Sequence, residues 1–468
     1  MLLYLFLLLV LLPLLLFLIR NNLFEFYLFT VFIYDLIPSV AGYRISPDAP
    51  LLNLQKILIV LLLLGLLLFR SQLYKQRFDK SISVVLTILI VVRFLSVFNA
   101  VDFSTSFSFW LSSSFYWYFF YYATFKLVNK EDEIVRVVKA IVLSGFITAI
   151  FNLIEFGTGF YAPHLFPGVA ESLSYWQYQR SGITRAFGLL ADPVATSYYL
   201  VPIIPLGMFL YYKTRKRIWA GFSIMTVTGL FFNLTRASIV ALASMWIVYS
   251  FFLTRNRWLK TSLVTLICLV LFVLDNPVSR LFYETVNPRT ESGVELQDIF
   301  QRRFSGIYDV GPRILLNLPL FGVGAGSMVR ETLMDEYFQR AGYLYSETSI
   351  RTEFPFVYTV SMESGILAGL LYVLLFYFAL LKSYKMFRGA TSRQNELTAS
   401  LFLSFTGYLI CLGFNGVFAS LNLFFVLLGL LNARINQGKE LTTQDKPDGA
   451  WYGIPPRRSQ LALSLFRR

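Results

Sequence analysis

Apolar runs of about twenty residues recur along nearly the whole chain, and that length matches the hydrocarbon core of a bilayer. Only helices and closed barrels satisfy their backbone groups in lipid. The short alternating segments of a barrel are absent. Hydrophobic residues make up 56% of the 468 positions and the mean hydropathy is +0.61, more apolar surface than a soluble fold of this size can hide. The expected fold class is an all-α polytopic integral membrane protein with about 12–14 transmembrane helices. About thirteen spans can be drawn: 2–19, 23–40, 54–69, 82–99, 107–126, 137–156, 192–212, 219–234, 237–254, 261–275, 356–381, 397–414 and 418–432. No basic region precedes the first run and no small-residue cleavage site follows it, so we expect a retained helix, not a signal peptide.

The net charge is +14. Its distribution argues against nucleic acid, because the basic residues lie in short clusters between apolar runs. One set comprises Arg20; Arg70, Lys75, Arg77 and Lys80; Lys126, Lys130 and Arg136; Lys213, Arg215, Lys216 and Arg217; Arg255, Arg257 and Lys260; Lys382, Lys385, Arg388 and Arg393; and the tail. These clusters alternate with poorly basic connections and read as cytoplasmic. The N-terminus and the loops 157–191 and 276–355 then lie outside. Residues 1–432 form the expected membrane domain, and 433–468 an expected disordered cytoplasmic tail.

The loop 276–355 is the one long polar interval between spans. It carries Arg280, Arg289, Arg302, Arg303, Arg313, Arg330, Arg340 and Arg351, with a glycine turn at Gly322-Val-Gly-Ala-Gly326. The glycines permit positive φ and close backbone approach. No strand precedes them and no Walker lysine follows, so they carry no nucleotide signature. Arg180 and Arg185 lie in the other outside loop. Asp192 and Pro193 have the form of a helix N-cap and first helical residue, and a helix start beside Arg185 suits an anion. Asn233-Leu-Thr-Arg236 places Arg236 between two apolar runs, where snorkelling to lipid phosphate is the ordinary alternative. Arg93 lies within a span and either packs on a carboxylate or faces substrate. Cys268 and Cys411 fall inside expected spans and read as core residues. A single histidine, His164, excludes a His-rich metal site, and we expect neither metal nor other cofactor.

Arginine is suited to holding diphosphate, since guanidinium bonds phosphate bidentately and keeps its proton. At 4 Å and an effective dielectric near 20, one such contact attracts by about 4 kcal/mol before desolvation.

The ordered segments Arg185-Ala-Phe-Gly188 with Asp192-Pro193, Leu234-Thr-Arg-Ala-Ser238, Pro319-Leu-Phe-Gly-Val-Gly-Ala-Gly326 and Glu363-Ser-Gly-Ile-Leu-Ala-Gly369 resemble the O-antigen ligase and polysaccharide polymerase superfamily of bacterial envelopes. The resemblance covers roughly residues 80–430. It implies transfer of glycan from a polyprenyl-diphosphate carrier at the outer leaflet of the bacterial inner membrane, without metal. It implies that Arg185, Arg236 and one of Arg302 or Arg303 grip the diphosphate; Arg313, on an expected helix of the large loop, is a further candidate from the sequence itself. Arg236 and Arg303 are then the catalytic arginines. Partners expected are the lipid-linked oligosaccharide, membrane lipid, a chain-length regulator and a flippase. Two positions depart from the pattern. Val194 stands where the family often has Asn, and Phe354 stands where ligases have a histidine base. A polymerase fits better than a ligase, and the neighbouring Glu353 is the candidate base, with pairing to Arg351 as its bland alternative. A ligase, or a flippase of lipid-linked glycan, remains the other reading.

Overall fold

The computed structural model describes residues 22–34, 36, 54–76, 79–100, 102–160, 179–180, 183–190, 192–250, 320–326, 355–389, 395–414 and 421–444. These residues are helical except for turns and one hairpin. The helices are α1 (Leu23–Tyr34), α2 (Leu54–Leu68), α3 (Lys80–Ser96), α4 (Phe103–Trp110), α5 (Tyr116–Leu127), α6 (Glu131–Thr158), α7 (Pro193–Thr214), α8 (Arg217–Phe232), α9 (Arg236–Val248), α10 (Phe356–Ser364), α11 (Ile366–Gly389), α12 (Asn395–Phe414) and α13 (Leu421–Gln444). Among the described residues five segments are long and apolar enough to cross a membrane: Lys80–Asn99, Glu131–Thr158, Pro193–Thr214, Ile366–Arg388 and Glu396–Phe414. The protein is a helical, membrane-embedded bundle.

Every sequence span that falls on described residues is helical, and those at 2–19 and 261–275 lie outside them. Three details differ. The span 107–126 begins earlier, at Phe103, and is interrupted by a π-helical turn, Leu111–Phe115. The span 356–381 is broken at Gly365. The helix assigned to 418–432 continues to Gln444, through the first part of the segment expected as a disordered tail. Polar side chains hold that extension to the bundle: Asn432 Nδ2 donates to Tyr121 Oη at 3.1 Å, and Gln437 Nε2 donates to the Asn129 carbonyl. A hairpin too short to read from sequence pairs Gln179–Arg180 with Ile183–Thr184.

Helix α7 packs on α6, α8 and α12; α12 also packs on α9 and α11; α11 packs on α3; and α13 packs on α5. Small residues let these backbones approach: a Cβ on Gly229 of α8 would lie 2.8 Å from the Ala149 Cα of α6.

The helix ends sort into two faces. On one, Arg136 pairs with Glu25, Lys213 with Glu131, and Lys382 with Asp79 at 2.5 Å. Leu23 N reaches Gln72, and Tyr74 Oη donates to Glu133 at 2.6 Å. Leu23 and Glu25 lie at the start of the expected span 23–40; the others belong to connections that sequence places on a single side. Asp79 caps α3 by accepting from Ser81 N and Ile82 N at 3.1 and 3.2 Å. Asp79→Ala removes this cap and the Lys382 pairing together. It should lower stability in detergent by about 2 kcal/mol, read as a lower unfolding midpoint.

Candidate functional site

Three segments meet at the opposite face. The end of α6 brings Asn152 and Glu155. The segment 185–192 brings Arg185 and Asp192. The turn between α8 and α9 brings Asn233 through Arg236.

Asp192 caps α7 as expected, accepting from Val194 N at 2.6 Å and Ala195 N at 2.9 Å, with Pro193 first in the helix. The α8–α9 turn is strained: Leu234 has φ +50°, a conformation costing a non-glycine residue about 1 kcal/mol. Asn233 stabilises that turn. Its Oδ1 accepts from Asn152 Nδ2 at 2.8 Å, and its Nδ2 donates to the Ala186 carbonyl at 2.7 Å. Its own carbonyl accepts from Arg185 Nε at 3.0 Å. The buried Glu155 carboxylate accepts from Phe187 N at 2.6 Å and Gly188 N at 2.8 Å, fixing the backbone beside Arg185. Asn233→Ala would break the links to Asn152 and Ala186 at once, and a loss of about 2–3 kcal/mol in unfolding free energy is expected.

Arg185 Nη2 donates to Thr235 Oγ1 at 3.3 Å, and that hydroxyl donates in turn to the Pro193 carbonyl, also at 3.3 Å. Thr235 is the N-cap residue of α9, yet its side chain makes no cap bond, so it leaves the first N–H groups of α9 without its oxygen. Arg236 is the first residue of that helix. The Arg185 guanidinium thus lies beside the N-terminus of α9, which has no side-chain cap, and is linked through Thr235 to the carboxylate-capped start of α7. Among the described residues no carboxylate forms an ion pair with Arg185. Burial pushes its guanidinium below the usual range, and the Asp192 carboxylate pulls it partly back. A guanidinium beside an uncapped helix N-terminus suits a bound anion.

A second polar cluster lies between α3, the π-turn, α10 and α11. Arg93 and Glu363, both 0% exposed, pair at 3.4 Å. Arg93 also donates to Tyr372 Oη at 3.2 Å and Ser113 Oγ at 3.5 Å, and its guanidinium lies 5.6 Å from the Trp117 ring centroid. Of the two alternatives open from sequence, Arg93 thus takes the carboxylate. At Gly365, φ +87° and ψ 160°, the helix breaks. The glycine turn fills the break: Val323 N donates to the Met362 carbonyl at 3.2 Å, and Gly324 N to the Glu363 carbonyl at 3.0 Å. A Cβ on Gly322 would lie 2.5 Å from the Glu363 carbonyl carbon, and one on Gly326 would lie 2.5 Å from the Phe109 ring. The close approach that glycine allows is here made to the α10 backbone and to the Phe109 ring.

Of the residues singled out from sequence, Arg185 and the start of the Arg236 helix come together. Gly322, Gly324 and Gly326 form a separate feature with Arg93 and Glu363. Arg302, Arg303, Arg313, Glu353 and His164 lie outside the described residues. Asn152, Glu155 and Asn233 were missed as members of the site. The signal available for the first two was an amide and a carboxylate inside an apolar run. Among the described residues no group of acidic, histidine and cysteine side chains could hold a metal ion. No protein-family model matches the chain, and no curated protein matches it.

Proposed function

We propose that the protein is a bacterial inner-membrane glycosyltransferase, a polysaccharide polymerase that joins polyprenyl-diphosphate-linked oligosaccharides at the outer leaflet. In this reading the chain has 12–14 spans, the loops 157–191 and 276–355 face outward, and the basic face of the bundle is cytoplasmic. The observation that carries the reading is the Arg185 arrangement, a half-buried guanidinium that forms no ion pair among the described residues and is held beside the α9 N-terminus.

The chemistry follows from charge. An acceptor sugar hydroxyl attacks the anomeric carbon of the donor. The bond from that carbon to the diphosphate oxygen breaks, and the electron pair leaves with the diphosphate. Arg185 and Arg236 hold the phosphate oxygens, Arg303 stabilises the departing charge with Arg302 and Arg313 alongside, and the Glu353 carboxylate takes the hydroxyl proton. No metal is required for this balance.

The test is complementation of a deletion strain with Arg185→Ala, Arg236→Ala and Arg303→Ala, with lipid-linked glycans resolved on gels. Single repeat units should accumulate while each variant remains in the membrane. Normal chain growth with all three variants ends the proposal. Chains attached to a lipid or protein acceptor without lengthening would assign a ligase instead.

The buried Arg93–Glu363 pair beside a broken helix supports a second reading, a carrier of lipid-linked glycan. Reconstituted vesicles separate the two: a carrier moves labelled lipid between leaflets, whereas a polymerase changes product length on one side.

A further inference from the structure

One guanidinium touches both halves of the broken helix. Arg93 reaches Glu363 on α10 and Tyr372 on α11, and it also touches Ser113 in the π-turn. The same Glu363 whose side chain meets Arg93 offers its carbonyl to Gly324 N at 3.0 Å. The end of α3 adds two further ties: Ser96 Oγ donates to Ser364 Oγ at 3.3 Å, and Asn99 Nδ2 donates to the Gly322 carbonyl at 3.2 Å. Backbone that is not helical is tolerated at membrane depth only where protein buries it, and here these residues do so; Val323 and Ala325 are 3% and 0% exposed.

We propose that Arg93 and Glu363 are positioning residues. Their pair fixes the broken end of α10, which seats residues 320–326. The effect on turnover rests on the preceding reading, in which Arg303 and Glu353 flank the seat in sequence. Neither Arg93 nor Glu363 touches substrate; they act through the seat.

Arg93→Lys keeps the charge and loses the fork that reaches several partners. Glu363→Gln keeps the shape and loses the charge. Each is made in full-length protein with Cys268→Ser, Cys411→Ala and a single reporter, Ala325→Cys, in native membranes. A water-soluble maleimide reports opening of the seat, and polymer synthesis is followed against donor concentration. Both variants should raise the labelling rate of the reporter about tenfold and lower turnover at saturating donor about tenfold, with donor KM within about twofold of the parent. A second reporter, Ala433→Cys in the core of α13, should label no faster. The proposal is overturned if labelling at 325 stays unchanged, if Ala433→Cys opens equally, or if labelling rises while turnover holds. Full activity of Arg185→Ala, Arg236→Ala and Arg303→Ala together would instead remove the transferase reading, and the labelling would still decide whether the pair holds the seat.

Discussion

Arg185→Ala is expected to reduce polymer formation by about 100-fold or more, the range observed when one preorganised donor to a developing anion is removed. The expectation follows from how the side chain is held. Nε is fixed on the Asn233 carbonyl and Nη2 on Thr235, so the guanidinium is aimed before any ligand arrives. Arg185→Lys retains a charge but cannot reproduce both contacts, and it should recover only a small part of the activity. Lipid-linked glycans from cells carrying each variant, separated by length, provide the measurement. Unaltered chain length with Arg185→Ala, in protein shown to be inserted, would mean that the cation has no part in the reaction.

Gly365→Ala should have the largest effect on folding. The glycine adopts φ +87° and ψ 160°, a region that is essentially closed to other residues. A Cβ there would stand 2.0 Å from the Leu320 carbonyl oxygen and 3.1 Å from the Phe321 Cα, both backbone atoms that cannot swing aside. Conformational strain and collision add, and a loss exceeding about 4 kcal/mol is expected. The variant should fail to accumulate as folded protein in the membrane. Gly413→Ala in α12 is the comparison, because among the described residues nothing lies within 4 Å of its added Cβ. That change should be neutral or stabilising by up to about 1 kcal/mol. Equal accumulation of the two variants would show that the break is not required.

The helices were legible in the sequence because lipid demands long apolar runs, and the runs are long. Asp192 and Pro193 could be read as a helix start because a cap is a local device, complete within a few residues. What the sequence did not reveal depends on distant partners. The break at Gly365 looks like ordinary small-residue packing until the Leu320–Gly326 segment is placed against it. Arg93 had two equal uses until Glu363, 270 positions away, was brought beside it. The link from Asn152 to Asn233 likewise joins residues 81 positions apart, and an isolated polar residue in an apolar run does not announce its mate. The α13 extension was misread as tail because its composition is polar. Amide anchors such as Asn432 and Gln437, together with the buried Ala433, hold that stretch in place.

The seat for the glycine turn also imposes an order on biogenesis. Residues 320–326 leave the ribosome before α10 exists; the earlier chain offers them the Asn99 amide and the Phe109 ring, but the carbonyls of Met362 and Glu363 come later. The segment therefore cannot complete its seat until translation has passed α10. A nascent chain arrested before that point holds the turn with its seat incomplete, so docking is a late event in the maturation of this protein.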